Sequence, residues 1–309
     1  MLTNRLADKS KLSTQSRVAV SAIVAMERVT RSRHHRGYWH AVREIGKLSD
    51  ETTAIQLPQG LLLVQVGDPY WARIIAPGYL YEPEIATWLE RLTGKEVDLL
   101  DVGANIGYWS VYFSGLFPEA RVTAIEPNPH VFDQLQKNAE LNGQRFECVQ
   151  SAVTPEPIDT IELQVSDTRG GHAAATVDPR KASQDLVSVA VPATTLDALV
   201  ARVRRPGIPL LVKLDIEGLE ATVLSASAST SDLEIAFIYE DHGQDAACET
   251  TDLLLQSTEF EIYYLSALAN PELITSIGQL RARKTSQKVG YNLLAVPREG
   301  PWQALKEEH

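Results

Sequence analysis

The run Asp101-Val-Gly-Ala-Asn-Ile-Gly107 constrains this chain more than any other feature. It closes an apolar stretch, VDLLDVG at 97–103, and leads into a helix-like segment. Glycine at such a turn lets the backbone bend sharply and approach a ligand. Further short apolar runs follow: ARVTAIE at 120–126, FECVQSAV at 146–153, PLLVKLDIE at 209–217, LEIAFIYE at 233–240, EIYYL at 261–265 and YNLLAV at 291–296. Helical segments separate several of them, notably 128–142, stopped by Gly143, and GLEATVLSA at 218–226. Apolar runs alternating with helices predict βαβ units and a parallel sheet. The expected fold is therefore α/β and Rossmann-like, with a mostly parallel seven-stranded sheet covered by helices on both faces.

Three other regions complete the plan. Residues 12–47 read as a helix whose stripe Val18, Ala22, Ala25 and Val29, flanked by Ala19, Ile23 and Met26, predicts packing on the main domain or on a second copy. Two strand-like runs at 54–66 surround a Pro-Gln-Gly turn. TIELQV (160–165) and VSVAVPA (187–193) form an inserted pair around the loop 167–185. The expected division is a helical extension over 1–50, a hairpin region over 51–80 and the main domain over 81–309, with an insertion at 154–196.

Charge narrows the partners. The net charge is −11, yet residues 1–47 hold ten Lys/Arg against three Asp/Glu, a net of +7. The rest then holds 19 basic and 37 acidic residues, a net of −18. Such a body is not built for nucleic acid, which wants clustered Lys and Arg. Val18 to Met26 is too short to span a bilayer, and Glu27, Arg28 and Arg31 after it do not suit a signal peptide. Cys148 and Cys248 supply neither a disulfide framework nor metal-ligand spacing, which agrees with a reducing cytoplasm.

The glycine loop also selects a cofactor. Glu126 ends the next strand, 19 residues beyond Gly107, where a carboxylate can accept both hydroxyls of a ribose. A dinucleotide would need Gly-x-Gly-x-x-Gly to rest a pyrophosphate on the helix N-terminus. Here Asn105 stands where the second glycine would be needed, and Asp101 at the loop entrance repels a pyrophosphate. An acid there suits the ammonium of a methionine moiety. Both features favour S-adenosylmethionine over NAD, so an NAD-dependent oxidoreductase is the weaker alternative.

DVGANIG at 101–107, AIEPNP at 124–129 with LQKNAELN at 135–142, TTLD at 194–197 and LVKLDIEGLEATVL at 211–224 together resemble the FkbM family of methyltransferases. Tyr81-Glu82-Pro83-Glu84 and YED at 239–241 fit the same pattern, and the resemblance runs in order over about 80–297. Residues 1–55 lie outside it. It implies a class I methyltransferase fold and transfer of a methyl group from S-adenosylmethionine to a hydroxyl of a sugar or polyketide-type product. Carried over residue by residue, Asp101, Gly103, Ala104, Asn105 and Gly107 would line the methionine and ribose side. Glu126 would hold the ribose, with Pro127 and Asn128 near the adenine and Ser151 and Ala152 flanking the base. Tyr81 and Glu82 would cover the cofactor.

The acceptor would meet the cofactor at Asp215 and Glu217 and at Glu240, Asp241 and His242, in the fourth and fifth runs. A nearby base helps an alcohol attack. His242 is the first candidate because a neutral imidazole takes a proton near pH 7; Asp215 would orient the substrate or the methionine amine, and His172 in the insertion loop is the third. Asp215, Glu240 and Asp241 offer oxygen ligands of the kind Mg²⁺ prefers, but acids at strand ends also cap helices, and a required metal is not favoured. The Asp215-Ile-Glu-Gly218 turn differs from the Asn-Pro-Pro-Tyr type of nucleic-acid methyltransferases.

Overall fold

A computed structural model of the chain describes residues 5–8, 10, 12–30, 41–42, 44–45, 49, 51–68, 70–166, 186–257, 259–266, 270–287 and 289–306. The apolar runs form the middle of one sheet. Strands β4 (Asp98–Val102), β5 (Val122–Ile125) and β10 (Leu210–Leu214) are buried at every position, as expected of parallel strands covered on both faces. With β6 (Glu147–Val149), β11 (Ile235–His242), β12 (Phe260–Tyr264), β13 (Glu272–Ile274) and β14 (Gly290–Pro297) they make an eight-stranded sheet, ordered β13-β12-β14-β11-β10-β4-β5-β6. Strand β14 runs antiparallel between β11 and β12. The chain moves outward from β4 to β6, then returns to β10 on the other side of β4. The switch in strand order therefore falls between β4 and β10, which is where such sheets bind ligands.

Side-chain alternation divides the core in two. On one face Leu99, Ala124, Leu211 and Ile238 pack with Ile106, Val111 and Phe113 around helix α3 (Tyr108–Leu116) and with Leu135 of α4 (Pro129–Leu141). On the other, Leu100, Val212, Phe237 and Tyr239 pack with α5 (Leu196–Val203), α6 (Glu220–Ser225) and α7 (Glu249–Gln256). This is the Rossmann-like class I methyltransferase architecture, with three departures from the sequence expectation.

The sheet has eight strands, because the short β13 adds to the edge of β12. The run 146–153 is not one strand. Its first part stays in the main sheet as β6, whereas β7 (Ala152–Val153) pairs with β9 (Leu186–Thr194), itself antiparallel to β8 (Thr160–Ser166). Hydrophobic periodicity registers the two halves alike and does not register a change of partner.

The third departure is in α1 (Thr14–Thr30), which buries Ser16, Ala19, Val20, Ile23 and Glu27, while Val18 is 58% exposed. Of the expected stripe, Ala19 and Ile23 are buried and Ala22 is half-buried, whereas Val18 and Ala25 face outward. Buried polar partners decide the rotation: Ser16 shares a 2.5 Å hydroxyl pair with Ser49, and Glu27 receives Arg73 at 3.3 Å from the 3₁₀ turn Trp71–Ile75.

That turn follows a hairpin of β2 (Thr52–Gln56) and β3 (Leu61–Gln65), with β1 (Arg5–Leu6) on its far side. The free edge of β3 lies along α4. Asn142 exchanges both amide bonds with Leu61, at 2.9 and 2.6 Å, and Asn138 does so with Leu63, at 2.6 and 3.3 Å.

Candidate functional site

Strand register gathers the site. Asp101 of β4 lies level with Lys213 of β10, and Lys213 with Ile238 of β11. Two residues further along, Gly103, Asp215 and Glu240 follow on the same face, and Glu240 pairs with Asn292 of β14. Glu82 closes this face from above, at the start of α2 (Pro83–Arg91). Its backbone is left-handed, with φ 41°, and its carboxylate accepts Trp109 Nε1 at 2.8 Å and Asn292 Nδ2 at 3.3 Å.

The glycine loop is held from inside. Gly103 has φ +79°, and a Cβ there would stand 1.8 Å from the carbonyl oxygen of Asp215. Glycine is required by the approach of β10, so Gly103→Val would break the backbone packing and not merely fill a ligand's space. Gly107, at φ +88°, begins α3 against Leu135. The amides of Gly103 and Ala104 both donate to Ile125 O, at 3.0 and 2.9 Å. Glu126 accepts the amides of Asn105 at 3.0 Å and Asn128 at 2.8 Å. Burial nevertheless pushes its pKa up to about 7, those two bonds offsetting only part of the effect.

Among the described residues, three buried polar atoms of this region lack a hydrogen-bond partner: Asp101 Oδ1 and Asn128 Nδ2 around the loop, and His242 Nε2 at the far end. The other Asp101 oxygen accepts Ser110 Oγ at 2.6 Å. An orphan acceptor at the loop entrance and an orphan donor beyond Glu126 are what an ammonium at one end and an adenine at the other would satisfy. The site thus fits S-adenosylmethionine.

The far end is a chamber of carboxylates around one buried cation. Lys213 Nζ donates to Asp215 Oδ2 at 2.9 Å. Burial works against its charge, but Asp215, Glu82 and Asp101 outweigh that and hold the ammonium above its ordinary value. Burial raises the Glu82 carboxyl to about 7, with Asp215 and Glu240 adding to the rise and Lys213 opposing it.

His242 stands between Glu220, 3.9 Å from its Nε2, and Glu240, 3.4 Å from its Nδ1. Glu220 first and Glu240 second push its pKa up to about 11. The imidazole is therefore already protonated at neutral pH, which removes the premise on which His242 was the first candidate for a base. Glu240 is itself fitted into a notch: a Cβ on Gly290 would lie 1.4 Å from its Oε1.

Of the other sequence candidates, Asp241 points to the opposite face, where it pairs with Lys284 and accepts Thr251 Oγ1 at 2.7 Å. It is thereby separated from Asp215 and Glu240, and among the described residues no three His, Cys, Asp or Glu converge as a metal cage. Ser151 is buried and spends its hydroxyl on Ala152 O at 3.1 Å. Asn128 caps α4 through the amide of His130 at 3.1 Å, and Pro127 lies between it and Glu126. Glu217, at φ 58°, is past the end of β10 and exposed. His172 lies outside the described residues.

Sequence reasoning passed over Lys213, Glu220, Gly290, Asn292 and the aromatic group Tyr70, Trp71, Tyr108 and Trp109. A lysine in LLVKL and an asparagine in YNLLAV are polar residues inside apolar strands, a signal that was there to be read. Tyr70 and Trp71 carry no such spacing; only the fold brings them to the loop, Trp71 Nε1 donating to Asn105 Oδ1 at 3.0 Å.

Comparison with known proteins agrees with this geometry. Residues 101–262, just over half of the chain, match the model of the methyltransferase FkbM domain. The chain is 43% identical over 44 residues to methyltransferase sdnD of Sordaria araneosa, a stretch covering 14% of this chain and 17% of that one. It thus spans about a sixth of that curated relative. Among solved structures, a precorrin-6y C5,15-methyltransferase from Geobacter metallireducens shares 14% identity over 69% of this chain and 86% of its own, with TM-score 0.37. An O-methyltransferase from Bacillus cereus shares 9% over 90% and 99%, with TM-score 0.39. Likeness at this level identifies neither substrate nor chemistry.

Proposed function

This chain belongs to the FkbM methyltransferase family, and from that premise we propose that it transfers the methyl group of S-adenosylmethionine to a hydroxyl oxygen of a sugar or polyketide-type small molecule. The observation that carries the reading is the sign of the chamber. Asp215, Glu82 and Asp101 surround the buried Lys213 at the switch point, and Glu240 and Glu220 flank the one imidazolium, so carboxylates outnumber cations, which favours a cationic ligand and opposes a pyrophosphate. When bound, S-adenosylmethionine supplies an electrophilic methyl group on a sulfonium.

This chain's residues do the rest. Glu126 accepts ribose hydroxyls, and Asp101 Oδ1 accepts the ammonium. Lys213 fixes Asp215 at the rim. With His242 protonated, the proton released by the acceptor hydroxyl passes to a carboxylate, and Glu240 is the one held in place for it, by Gly290 behind and His242 beside. Positioning the hydroxyl in line with the methyl supplies much of the remaining rate. No metal takes part in this scheme. Two free thiols, Cys148 and Cys248, support a reducing, cytoplasmic setting. No described helix is long and apolar enough to cross a membrane. The Val18 side of α1 is the surface on which two copies would pair.

Thermal-shift measurements with S-adenosylhomocysteine and with NAD test the cofactor, because a ligand stabilises the fold it binds. A rise in Tm with the first alone is expected; a rise with NAD alone overturns the reading. Methyl transfer from labelled S-adenosylmethionine to a panel of sugar and polyketide alcohols, against tRNA and DNA, then tests the acceptor class.

A further inference from the structure

We infer that Trp71, outside the region matched by the family, is a positioning residue for the cofactor loop: its indole N–H holds Asn105 in the left-handed conformation from which the loop amide reaches Glu126. The inference rests on the cofactor reading proposed above. Asn105 has φ 53°, a region that non-glycine residues enter at a cost and keep only when their surroundings hold them there. Its Oδ1 accepts Trp71 Nε1 at 3.0 Å and the amide of Ile106 at 2.8 Å, while its own amide donates to Glu126 Oε2 at 3.0 Å. One side chain thus joins the indole, the turn of the loop and the carboxylate assigned to the ribose.

The indole is itself fixed at both ends of the loop. Asp68 Oδ1 accepts the amides of Tyr70 at 2.8 Å and Trp71 at 3.2 Å, which sets the start of the 3₁₀ turn. The Trp71 ring is 97% buried, stacked 6.0 Å from Tyr108, the first residue of α3, and 5.0 Å from Tyr81. Tyr81 in turn shares a 2.7 Å hydroxyl pair with Tyr70. A second tie comes from the hairpin side, where Asn138, already bonded to Leu63, donates to Ile106 O at 2.7 Å. The segment 61–81 therefore holds the loop directly at the Asn105 side chain, and through Asn138 at the Ile106 carbonyl. A buried tryptophan usually finds an acceptor. Here the acceptor is the strained residue of the cofactor loop and not an ordinary carbonyl, and that gives the bond a consequence for binding.

The test uses S-adenosylhomocysteine as the probe and calorimetry on the full chain. Trp71→Phe keeps an aromatic ring and removes the donor, and should weaken binding about fivefold to twentyfold. Asn105→Ala should weaken it too, and adding Trp71→Phe to Asn105→Ala should cost little more, because the two residues act through one bond. A merely structural tryptophan would lower Tm without this non-additivity in affinity. Indole ¹⁵N–¹H spectra supply a second readout: the cross-peak displaced by Asn105→Ala, which is Trp71, should shift when wild-type protein is saturated with the probe. Affinity of Trp71→Phe within twofold of wild type, or full additivity of the two substitutions, overturns the inference. Should Trp71→Phe not fold, an unmoved Trp71 cross-peak does the same and a moved one sustains it. Wild-type protein that binds no S-adenosylhomocysteine sinks the cofactor reading and the inference with it, whereas binding that is indifferent to Trp71 sinks the inference alone.

Discussion

Replacing Gly290 by alanine perturbs the carboxylate–imidazolium pair without deleting any functional group. The added Cβ would stand 1.4 Å from Glu240 Oε1, and ordinary contact begins at 3.4 Å, so the oxygen must retreat by about 2 Å (3.4 − 1.4). It lies 3.4 Å from His242 Nδ1, and a retreat of that size opens the pair. Glu220 remains, so His242 keeps one of its two partners. An opposite charge at such range moves a pKa by about 1–3 units. His242 should therefore fall from about 11 to roughly 8–10.

The sign follows from the direction of the shift. A histidine raised above its ordinary 6.5 contributes stability that is fully present below 6.5 and lost as pH rises through about 11. The variant is less stable than wild type at neutral pH. The gap holds up to the variant's own pKa and closes above it. The assay is the histidine Cε1–H resonance followed by NMR from pH 5 to 10. It should stay at the imidazolium position in wild type across most of that range and begin to move near pH 8 in Gly290→Ala. Turnover should drop on the order of a hundredfold, the cost of an ångström-scale misplacement, with S-adenosylhomocysteine affinity unchanged. A wild-type His242 that titrates near 6.5, or a variant resonance as flat as wild type, would refute the reasoning.

Two further substitutions test other parts of the chamber. Gly103→Val should fail to give a cooperative melt, because its Cβ meets the Asp215 carbonyl at 1.8 Å; a folded variant with only its cofactor affinity lost would mean that the loop and β10 are less closely packed than described. Glu82, raised to about 7 mainly by burial, contributes stability that is present below 4.5 and lost as pH rises through 7. The uncharged Glu82→Gln should therefore gain Tm relative to wild type between pH 4.5 and 8 in cofactor-free protein, and a Tm difference that ignores pH would count against the assignment.

The residues proposed to hold the cofactor could be grouped from the sequence because they are local. Asp101, Gly103, Asn105 and Gly107 sit within seven residues, and Glu126 follows at the end of the next apolar run, so spacing alone brings them together. Those proposed for the chemistry could not, because what matters there is a neighbour's charge. His242 is an ordinary histidine until Glu220, from helix α6, and Glu240, from its own strand, are seen beside it. Gly290, one residue before the run YNLLAV, carries no signal in the sequence and proves to be the space that Glu240 occupies. The rotation of α1 was hidden for a related reason: Ser16 and Glu27 are polar and enter no apolar stripe, and only Ser49 and Arg73 show that they are buried with partners. Apolar periodicity sees what avoids water, not which polar groups have found one another.

Asn138 on α4 and Asn142 at its C-cap have a consequence for how this protein behaves in a crowded solution. Four residues of helix rise about 6.0 Å and two residues of strand about 6.6 Å, so Asn138 and Asn142 present their amides at nearly the repeat of Leu63 and Leu61. The helix imitates the next strand of the hairpin sheet. An exposed edge of this kind, LLLVQ, would otherwise be a template for pairing with another chain. Each asparagine also recognises one specific peptide, which locks the hairpin in register: a slip by one residue would turn the buried Leu62 and Val64 outward and offer both amides the wrong partners. Loss of either asparagine should thus be felt first as aggregation during folding, well before the cofactor is ever encountered.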